Sequence, residues 1–335
     1  MRNPDIIVAM PNADEGAISP ELVANAYRFI LGREPESADA IRFHMAAADF
    51  GQLRTAFLRC PEFQDSLPRL GIMPFPDFIQ QAAPLDIDLC ADEKSMRRLL
   101  RRVERCWTSL GETSPHWSVL VADQFKPETF DEHADEFYAS GRPDVDRLFC
   151  WLARNHIAAG NLKTCLEFGC GTGRTTPWLA ERFRRVIACD ISPPHIELAR
   201  LQVERTGCRN VEFVRTATLD ALGGLSGVDL VFSVIVLQHN PPPVIGLILR
   251  RLLQSLNPGG IAFFQVPTYG TGYRFKIREY LLRPLDHGME MHVIPQCEVF
   301  KAAEEHGCSV VEVEPDCCTG LPAWISNTFL LQKRR

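Results

Sequence analysis

The spacing of apolar positions divides the chain into a short helical part and a longer part in which strands and helices alternate. Ser19 and Pro20 predict a capped helix start, and Gly32 predicts the end of that helix. Apolar residues three and four apart then predict two more helices before Cys60. We therefore predict a small all-α domain over residues 1–70, whose first helix packs through an apolar stripe of Leu22, Val23, Ala26, Phe29 and Ile30.

Residues 71–92 are predicted to be a linker, because prolines punctuate them and few positions are periodic. An amphipathic helix follows from Lys94 to Leu110, with five arginines around an apolar face. We interpret those arginines mainly as a solvated helix face, with an anionic partner as the alternative.

From about Leu162 the pattern alternates between strand and helix, as in a parallel sheet. Helices are predicted to begin near Arg174, Pro194, Pro242 and Pro295. The pattern predicts a doubly wound α/β fold with strands at 164–168, 186–190, 211–214, 228–233, 261–266, 308–313 and 324–332.

Composition narrows the function classes. The 335 residues are 46% hydrophobic, which is typical of a globular protein with room for two domains. The 42 acidic and 36 basic residues give a net charge of −6 without a cationic run, so we expect no nucleic-acid partner. We also expect no membrane span and a cytoplasmic location, because neither an apolar stretch of about 20 residues nor a signal-like start is present.

A glycine-rich turn carries the sharpest chemical signal. The strand 164–168 runs into Gly169, Gly171 and Gly173, and an acidic residue, Glu167, stands at the start of the turn. A GxGxG spacing followed by Arg174 disfavours pyrophosphate, and Glu167 would repel phosphate but suits a cationic amino-acid group. This combination indicates S-adenosylmethionine as the ligand. Asp190, at the tip of the next strand, is predicted to hold the ribose hydroxyls.

From about Leu162 to Lys333 the chain resembles class I S-adenosylmethionine-dependent methyltransferases. The resemblance rests on the ExGxGxG loop at 167–173, the acid at 190, the strand 228–233 and the segment 256–260. It implies a Rossmann-like seven-stranded sheet over 161–335, preceded by a helical lid within 93–160. The predicted cofactor-binding set is Glu167, Gly169, Gly171, Gly173, Asp190, Ile191, Thr218, Leu219, Ser233 and Gln238.

One departure affects the adenine site. Many family members carry a Gly-Asp pair after the third strand, whereas this chain has Thr216 and Ala217 there. We therefore assign the adenine contact to groups around Thr218 and Leu219, or to Asp220. In the lid, Trp117, Phe125 and Tyr138 are candidates either for an acceptor pocket or for core packing.

The candidate catalytic residues follow strands four and five of the family fold. His239 could accept a proton at neutral pH or could serve packing, and both readings stay open. Glu290 and His292 could form a base oriented by a carboxylate. A metal set of His287, Glu290 and His292 is the alternative, but acidic ligands are missing at the ends of the two strands, so we expect no metal.

The segments 27–35 and 57–63 resemble a small domain of unknown function found in bacterial proteins, often beside surface-polysaccharide enzymes. This resemblance implies a sugar hydroxyl as methyl acceptor and a contact between the helical domain and a glycosyltransferase complex. One alternative is a small-molecule methyltransferase for a lipid or secondary metabolite, with an apolar pocket of Trp117, Phe125 and Met289. Another alternative is an interaction protein that binds S-adenosylmethionine without catalysis.

Overall fold

The chain divides into two compact units, one up to residue 76 and one from residue 77 onward. The structure, a computed structural model, describes residues 18–66, 84–285, 288–321 and 323–335. In the first unit the described helices are α1 (Pro20–Ala26), continued by a π-helical turn (Tyr27–Leu31), α2 (Ala38–Met45), α3 (Phe50–Arg59) and α4 (Pro61–Ser66).

The first helix is capped as predicted. Leu22 N donates to Ser19 Oγ over 3.1 Å, and Gly32 ends the helical run in a left-handed conformation with φ 69°. The predicted apolar stripe is wrong at Phe29, which is 88% exposed. The buried face is instead centred on Val23 and Tyr27, and two residues past Tyr27 a side chain points to roughly the opposite side of the helix.

The second unit is built on a seven-stranded sheet with the order β4-β3-β2-β5-β6-β9-β8. Neighbouring strands from β4 to β6 are parallel, and β9 runs antiparallel to both β6 and β8. The strands are β2 (Thr164–Phe168), β3 (Arg185–Asp190), β4 (Val211–Arg215), β5 (Val228–Ser233), β6 (Leu256–Gly270), β8 (Cys308–Asp316) and β9 (Trp324–Lys333). The predicted doubly wound α/β fold is confirmed.

Helices cover both faces of this sheet. They are α5 (Glu93–Thr113), α6 (Pro115–Val119), α7 (Phe130–Ala139), α8 (Gly141–Arg154), α9 (Thr176–Ala180), α10 (Pro193–Thr206), α11 (Leu219–Gly223), α12 (Pro242–Ser255), α13 (Ile277–Leu282) and α14 (Gln296–Glu305). Leu166 and Phe168 of β2 pack with residues of α5, α12 and α14, whereas Cys165 packs with α8 and α9 on the other face. This alternation follows from the two-residue period of a strand.

Two segments differ from the sequence-based expectation. Strand β6 begins at Leu256, five residues earlier than predicted, with a register shift in its pairing to β5. Part of the predicted linker forms a short strand, β1 (Asp86–Ile87), which pairs in parallel with β7 (Arg274–Phe275). Within the described ranges, none of the helices has the length and apolar character that a membrane crossing needs.

Candidate cofactor and acceptor site

The main cavity of the second unit lies where β2 and β3 turn into their loops, beside the segment that follows β5. The order of the strands reverses between β2 and β5, and ligands of open α/β sheets bind at such a point. The cavity has a volume of about 90 Å³ and opens to solvent. The loop after β2, the loop after β3, the segment after β5 and helices α5 and α6 all contribute to its lining.

The glycine loop after β2 leaves no room for side chains. Gly171 has φ 53°, and a Cβ atom there would lie 2.7 Å from Cγ2 of Val119 in α6. Gly169 has φ 81°, and its Cβ would lie 2.3 Å from Cγ2 of Val236. Both positions therefore require glycine for conformation and for close approach, so the loop backbone itself forms the cavity wall.

Asp190 holds this loop from the end of β3. Its carboxylate accepts from Gly171 N and from Ser192 N, each over 2.9 Å. The side chain is buried apart from 9% of its surface and borders the cavity. Since each carboxylate oxygen can accept more than one hydrogen bond, Asp190 keeps acceptor capacity for hydroxyl donors of a ligand.

Glu167 lies below the loop and outside the cavity lining. Its carboxylate accepts from the hydroxyl groups of Thr175 and Thr176, the latter over 2.6 Å, at the start of α9. Burial raises the pKa of Glu167 to about 7, although these two hydrogen bonds lower it. The structure therefore gives Glu167 contacts to the protein, not a surface toward a ligand.

Helices α5 and α6 close the cavity from the side opposite the sheet. Trp107 of α5 packs its ring against His239, with ring centroids 5.2 Å apart, and Val119 of α6 meets the glycine loop. Buried His195 of α10 fixes these helices: its Nδ1 lies 2.7 Å from Ser192 Oγ and its Nε2 lies 3.0 Å from Ser118 Oγ. The predicted lid therefore borders the cavity through Ser118, Val119 and Trp107.

His239 projects from a short 3-10 helix (Leu237–His239) that follows β5. Its Nδ1 lies 2.9 Å from the carbonyl oxygen of Glu290, and its Nε2 lies 3.3 Å from Gln238 Nε2. Burial lowers the pKa of His239 to about 4, so the ring is neutral at physiological pH.

A second, smaller cavity adjoins the first at His239. Its volume is about 10 Å³, room for about one water molecule, and three residues, Val103, Trp107 and His239, line both cavities. The remaining lining of the small cavity is Arg102, Cys106, Tyr280 and Glu290. His239, although buried, thus borders two neighbouring spaces, one beside the glycine loop and one beside Glu290.

Glu290 is a carboxylate held by its neighbours. It accepts from the Tyr280 hydroxyl, and His292 Nε2 lies 3.3 Å from the same oxygen. Burial alone would raise the pKa of Glu290, but the hydrogen bonds from His292 and Tyr280 outweigh it and the pKa is lowered. His292 Nδ1 lies 2.7 Å from the Tyr273 hydroxyl, so both ring nitrogens of His292 are engaged.

The structure brings together only part of the predicted site. Gly169, Gly171, Asp190, Ile191 and His239 line the main cavity. Thr218 and Leu219 lie instead along a separate depression with Arg97 and Arg101. The predicted residues outside the main cavity lining are Glu167, Gly173, Thr218, Leu219, Ser233, Gln238, Glu290 and His292.

Sequence reasoning missed Trp107 and placed the lid aromatics differently. Phe125 packs in an aromatic cluster with Phe137, and Tyr138 lies next to His116. Neither cavity is lined by Trp117, Phe125, Tyr138 or Met289. The helical spacing from Val103 to Trp107 was the available signal, because it puts Trp107 on the apolar face of α5.

The described residues contain no cluster of three side chains suited to hold a metal ion. His287, named above as one possible ligand, lies outside the described residues.

Comparison with known proteins identifies the class of the central segment. Residues 165–260 match the family described as "Methyltransferase domain". This segment of the second unit is therefore a methyltransferase domain, and its methyl donor is S-adenosylmethionine.

The curated relatives act on different substrates. The tRNA 5-carboxymethoxyuridine methyltransferase of Escherichia coli K12 is 30% identical over 141 residues, 39% of this chain and 53% of the relative. The ubiquinone biosynthesis O-methyltransferase of Acinetobacter baylyi is 29% identical over 136 residues, 39% of this chain and 56% of the relative. The chain spans about half the length of these relatives.

Among solved structures, the 1,6-didemethyltoxoflavin-N1-methyltransferase of Burkholderia thailandensis is 18% identical, with a TM-score of 0.47. The match covers 76% of this chain and 95% of the other chain. The magnesium protoporphyrin IX methyltransferase of Synechocystis PCC 6803 is 18% identical, with a TM-score of 0.44. The match covers 64% of this chain and 99% of the other chain.

The chemistry of the main cavity suits this cofactor. The glycine loop offers bare backbone that a Cβ atom would obstruct, and Asp190 offers a carboxylate to a diol. Arg174 also borders the cavity, and its guanidinium is held by Asp144 Oδ2 at 2.5 Å and by the Ser140 carbonyl oxygen at 2.9 Å. A positive charge at this place matches the carboxylate of the methionine moiety.

Proposed function

We propose that the whole protein is a methyltransferase, that its acceptor binds beside Glu290 when the small cavity opens, and that His239 receives the acceptor proton. The observation that carries this proposal is that His239 lines both cavities. A base placed between the cofactor space and a second space can reach an acceptor held in the second one. When bound, S-adenosylmethionine supplies an electrophilic methyl group.

The depressed pKa of His239 is compatible with this role. A hydroxyl oxygen that gains a methyl group makes its proton strongly acidic, so a weak base is sufficient to remove it at that stage. Because the ring is neutral across the physiological pH range, Nε2 is unprotonated throughout.

We further propose that the acceptor is a sugar hydroxyl, as in the assembly of a bacterial surface glycan. The chemistry of the small cavity's lining supports this, because Trp107 and Tyr280 are aromatic side chains of the kind that cover the apolar face of a sugar ring when the space opens. Glu290 and Arg102 offer an acceptor and a donor for hydroxyl groups. By contrast, the three residues on which a lipid pocket would depend, Trp117, Phe125 and Met289, line neither cavity.

The N-terminal unit is proposed to contact a glycosyltransferase complex. Three of its phenylalanines are largely exposed, Phe29 at 88%, Phe43 at 76% and Phe50 at 57%. Exposed aromatic side chains are typical of contact surfaces. The double variant Phe29→Ser with Phe43→Ser should no longer co-purify with an identified glycosyltransferase. Its methyl-transfer activity should be unchanged. Co-purification that survives both substitutions would contradict this role.

The experiment for the acceptor uses the full chain with methyl-labelled S-adenosylmethionine and fractionated glycan, lipid and metabolite extracts. Label in a glycan fraction that survives mild base indicates an ether on a sugar and supports the proposal. Label only in lipids or metabolites would overturn the sugar assignment. Tight cofactor binding without any label would overturn catalysis.

A matched pair of variants tests the small cavity. Glu290→Gln should raise the acceptor KM about tenfold. It should not change cofactor affinity, because Glu290 lines the small cavity and does not line the main cavity. Trp117→Ala should leave the acceptor KM unchanged, because Trp117 lines neither cavity. Equal effects of the two variants would contradict the placement of the acceptor.

A further inference from the structure

A chain of buried amides connects the sheet to the imidazole of His239. Gln265 of β6, which is fully buried, accepts from Ile235 N over 3.0 Å through Oε1. Its Nε2 donates to Gln238 Oε1 over 3.0 Å and to Ser326 Oγ over 2.6 Å. Gln238 Nε2 in turn lies 3.3 Å from His239 Nε2.

The two ends of this chain fix its direction. The backbone N–H of Ile235 can only donate, so Gln265 must present its oxygen to it and its amide N–H groups to Gln238. Gln238 then presents N–H to His239 Nε2. At the far end the Glu290 carbonyl can only accept, so His239 Nδ1 carries the hydrogen.

Ile235 is held in an unusual conformation at the start of this chain. Its φ is 60°, which is strained for a β-branched residue, and it also borders the main cavity. This backbone conformation turns the N–H of Ile235 toward Gln265 rather than along the sheet. The strain therefore coincides with the donor that orients all the following amides.

We propose that Gln265 and Gln238 are positioning residues that lock His239 in the Nδ1–H tautomer, so that Nε2 is the unprotonated ring nitrogen and takes up the acceptor proton once the acceptor hydroxyl replaces the Gln238 N–H. This rests on the proposed function for its catalytic meaning, but the tautomer itself is a property of the protein alone. A protonated Nε2 would face the N–H of Gln238, so the amides oppose the imidazolium form.

Other charged and titratable groups also face His239 and act on its titration. From α5 these are Arg102 and Cys106, from α13 Tyr280, and from the segment after it Glu290 and His292. Asp190 and His195 lie across the main cavity. None of them contacts Gln265 through the hydrogen bonds that orient the amides.

The variant Gln265→Glu tests the inference, because it should reverse the direction of the hydrogen bonds between the buried amides. A carboxylate can still accept from Ile235 N but cannot donate to Gln238, so the Gln238 amide should turn and present its oxygen to His239 Nε2. Both imidazole nitrogens would then have acceptors, and the imidazolium form would be favoured. Ser326→Ala is the matched control, because it removes the second partner of Gln265 without changing the direction.

The measurement is ¹⁵N NMR of the full chain labelled at histidine, titrated from pH 4 to pH 8, with His239 assigned by its loss in His239→Asn. We expect an Nδ1–H tautomer without titration above pH 5 in the native chain and in Ser326→Ala. In Gln265→Glu the midpoint should rise by about one to two pH units. An Nε2–H tautomer in the native chain, or an unchanged His239 in a folded Gln265→Glu, would overturn the inference.

If Gln265→Glu does not fold, Gln265→Met provides the second test. Methionine fills similar space but imposes no direction, so Gln238 is free to turn and both tautomers of His239 should be populated. A single Nδ1–H tautomer in Gln265→Met would count against the inference. The NMR measurement needs no methyl acceptor, so it can succeed even if the methyl-transfer assay fails. Failure of the tautomer inference is therefore distinguishable from failure of the proposed function.

Discussion

His239 Nδ1 donates to the carbonyl oxygen of Glu290 over 2.9 Å. This hydrogen bond joins the segment after β5 to the segment that carries the carboxylate of the small cavity. It leaves the other ring nitrogen to face Gln238 and the cavity space. The backbone of Glu290 therefore orients the ring of His239, while its side chain lines the small cavity.

The first prediction concerns the pH dependence of methyl transfer. Since the pKa of His239 is lowered to about 4, the neutral ring persists down to that pH. The turnover rate should therefore stay level from pH 8 to about pH 5 and fall only below it, whereas an ordinary histidine base would lose activity near pH 6.5. A pH profile of kcat with a midpoint near 6.5 would contradict this assignment.

The second prediction is a loss of turnover in His239→Asn. Asparagine retains a donor for the Glu290 carbonyl but lacks the Nε2 lone pair, so kcat should fall about 10²–10⁴-fold. Cofactor affinity, measured by calorimetry, should change less than about threefold because His239 is one of many residues in the lining. Unfolding of the variant, seen by circular dichroism, would favour a packing role for His239 instead.

The third prediction compares two glycines with positive φ. Gly171→Ala places a Cβ 2.7 Å from Val119 and should weaken cofactor binding at least tenfold. Gly207→Ala has the same kind of backbone conformation, φ 72°, but its Cβ would meet no atom within 4 Å. Each variant should lose about 1 kcal/mol of stability for its backbone conformation, Gly171→Ala should lose more because of the contact with Val119, and only Gly171→Ala should lose cofactor affinity.

A second substitution checks the cause of that loss. Val119→Ala removes the nearest atoms, so the double variant Gly171→Ala with Val119→Ala should recover part of the cofactor affinity. If the double variant binds no better than Gly171→Ala alone, contact between α6 and the glycine loop does not explain the effect.

The fold could be predicted from the sequence because its signals are local. Strands β2 and β5 are short apolar runs bounded by turn residues, and both occur at the predicted positions. Helix α12 begins at Pro242 as predicted, because proline is favoured at the first turn of a helix. The glycine loop and Asp190 likewise occupy one edge of the sheet, as parallel strands require.

The rest of the site depends on contacts between distant segments. The helical spacing of α5 places Trp107 on its apolar face, but Trp107 reaches the cavity only because α5 packs beside the glycine loop, and that position is set by distant segments. Glu167 has the spacing of a ligand-binding acid, yet the side chain points into the interior toward Thr175 and Thr176. Gln265 lies in a strand predicted only as apolar, and its partner Gln238 is 27 residues away.

The fourth prediction concerns Asp190. Asp190→Ala removes the acceptor of Gly171 N–H and of a ligand diol, and should weaken cofactor binding by about 1.5–3 kcal/mol, roughly 10- to 150-fold. Asp229→Ala is the matched control. Its carboxylate also accepts from two backbone N–H groups, those of Lys163 and Thr164, but at the opposite end of β2. Asp229→Ala should destabilise the protein without changing its cofactor affinity.

The fifth prediction concerns the pH dependence of stability. The pKa of Glu167 is about 7 in the folded protein, against a usual value near 4.5. The folded state therefore binds more protons than the unfolded state between these values, and its stability falls as pH rises from about 4.5 to about 7. This difference of about 2.5 pKa units corresponds to a loss of at most about 3 kcal/mol in the free energy of unfolding.

Glu167→Gln should remove this fall, because glutamine does not ionise and still offers an oxygen to Thr175 or Thr176. Urea unfolding at pH 5 and at pH 8 measures this pH dependence. The native protein should be less stable at pH 8 than at pH 5, and the difference should be smaller in Glu167→Gln. Cofactor affinity should be retained in Glu167→Gln, since Glu167 is outside the cavity lining. A large loss of affinity in a folded variant would restore Glu167 as a ligand-binding residue.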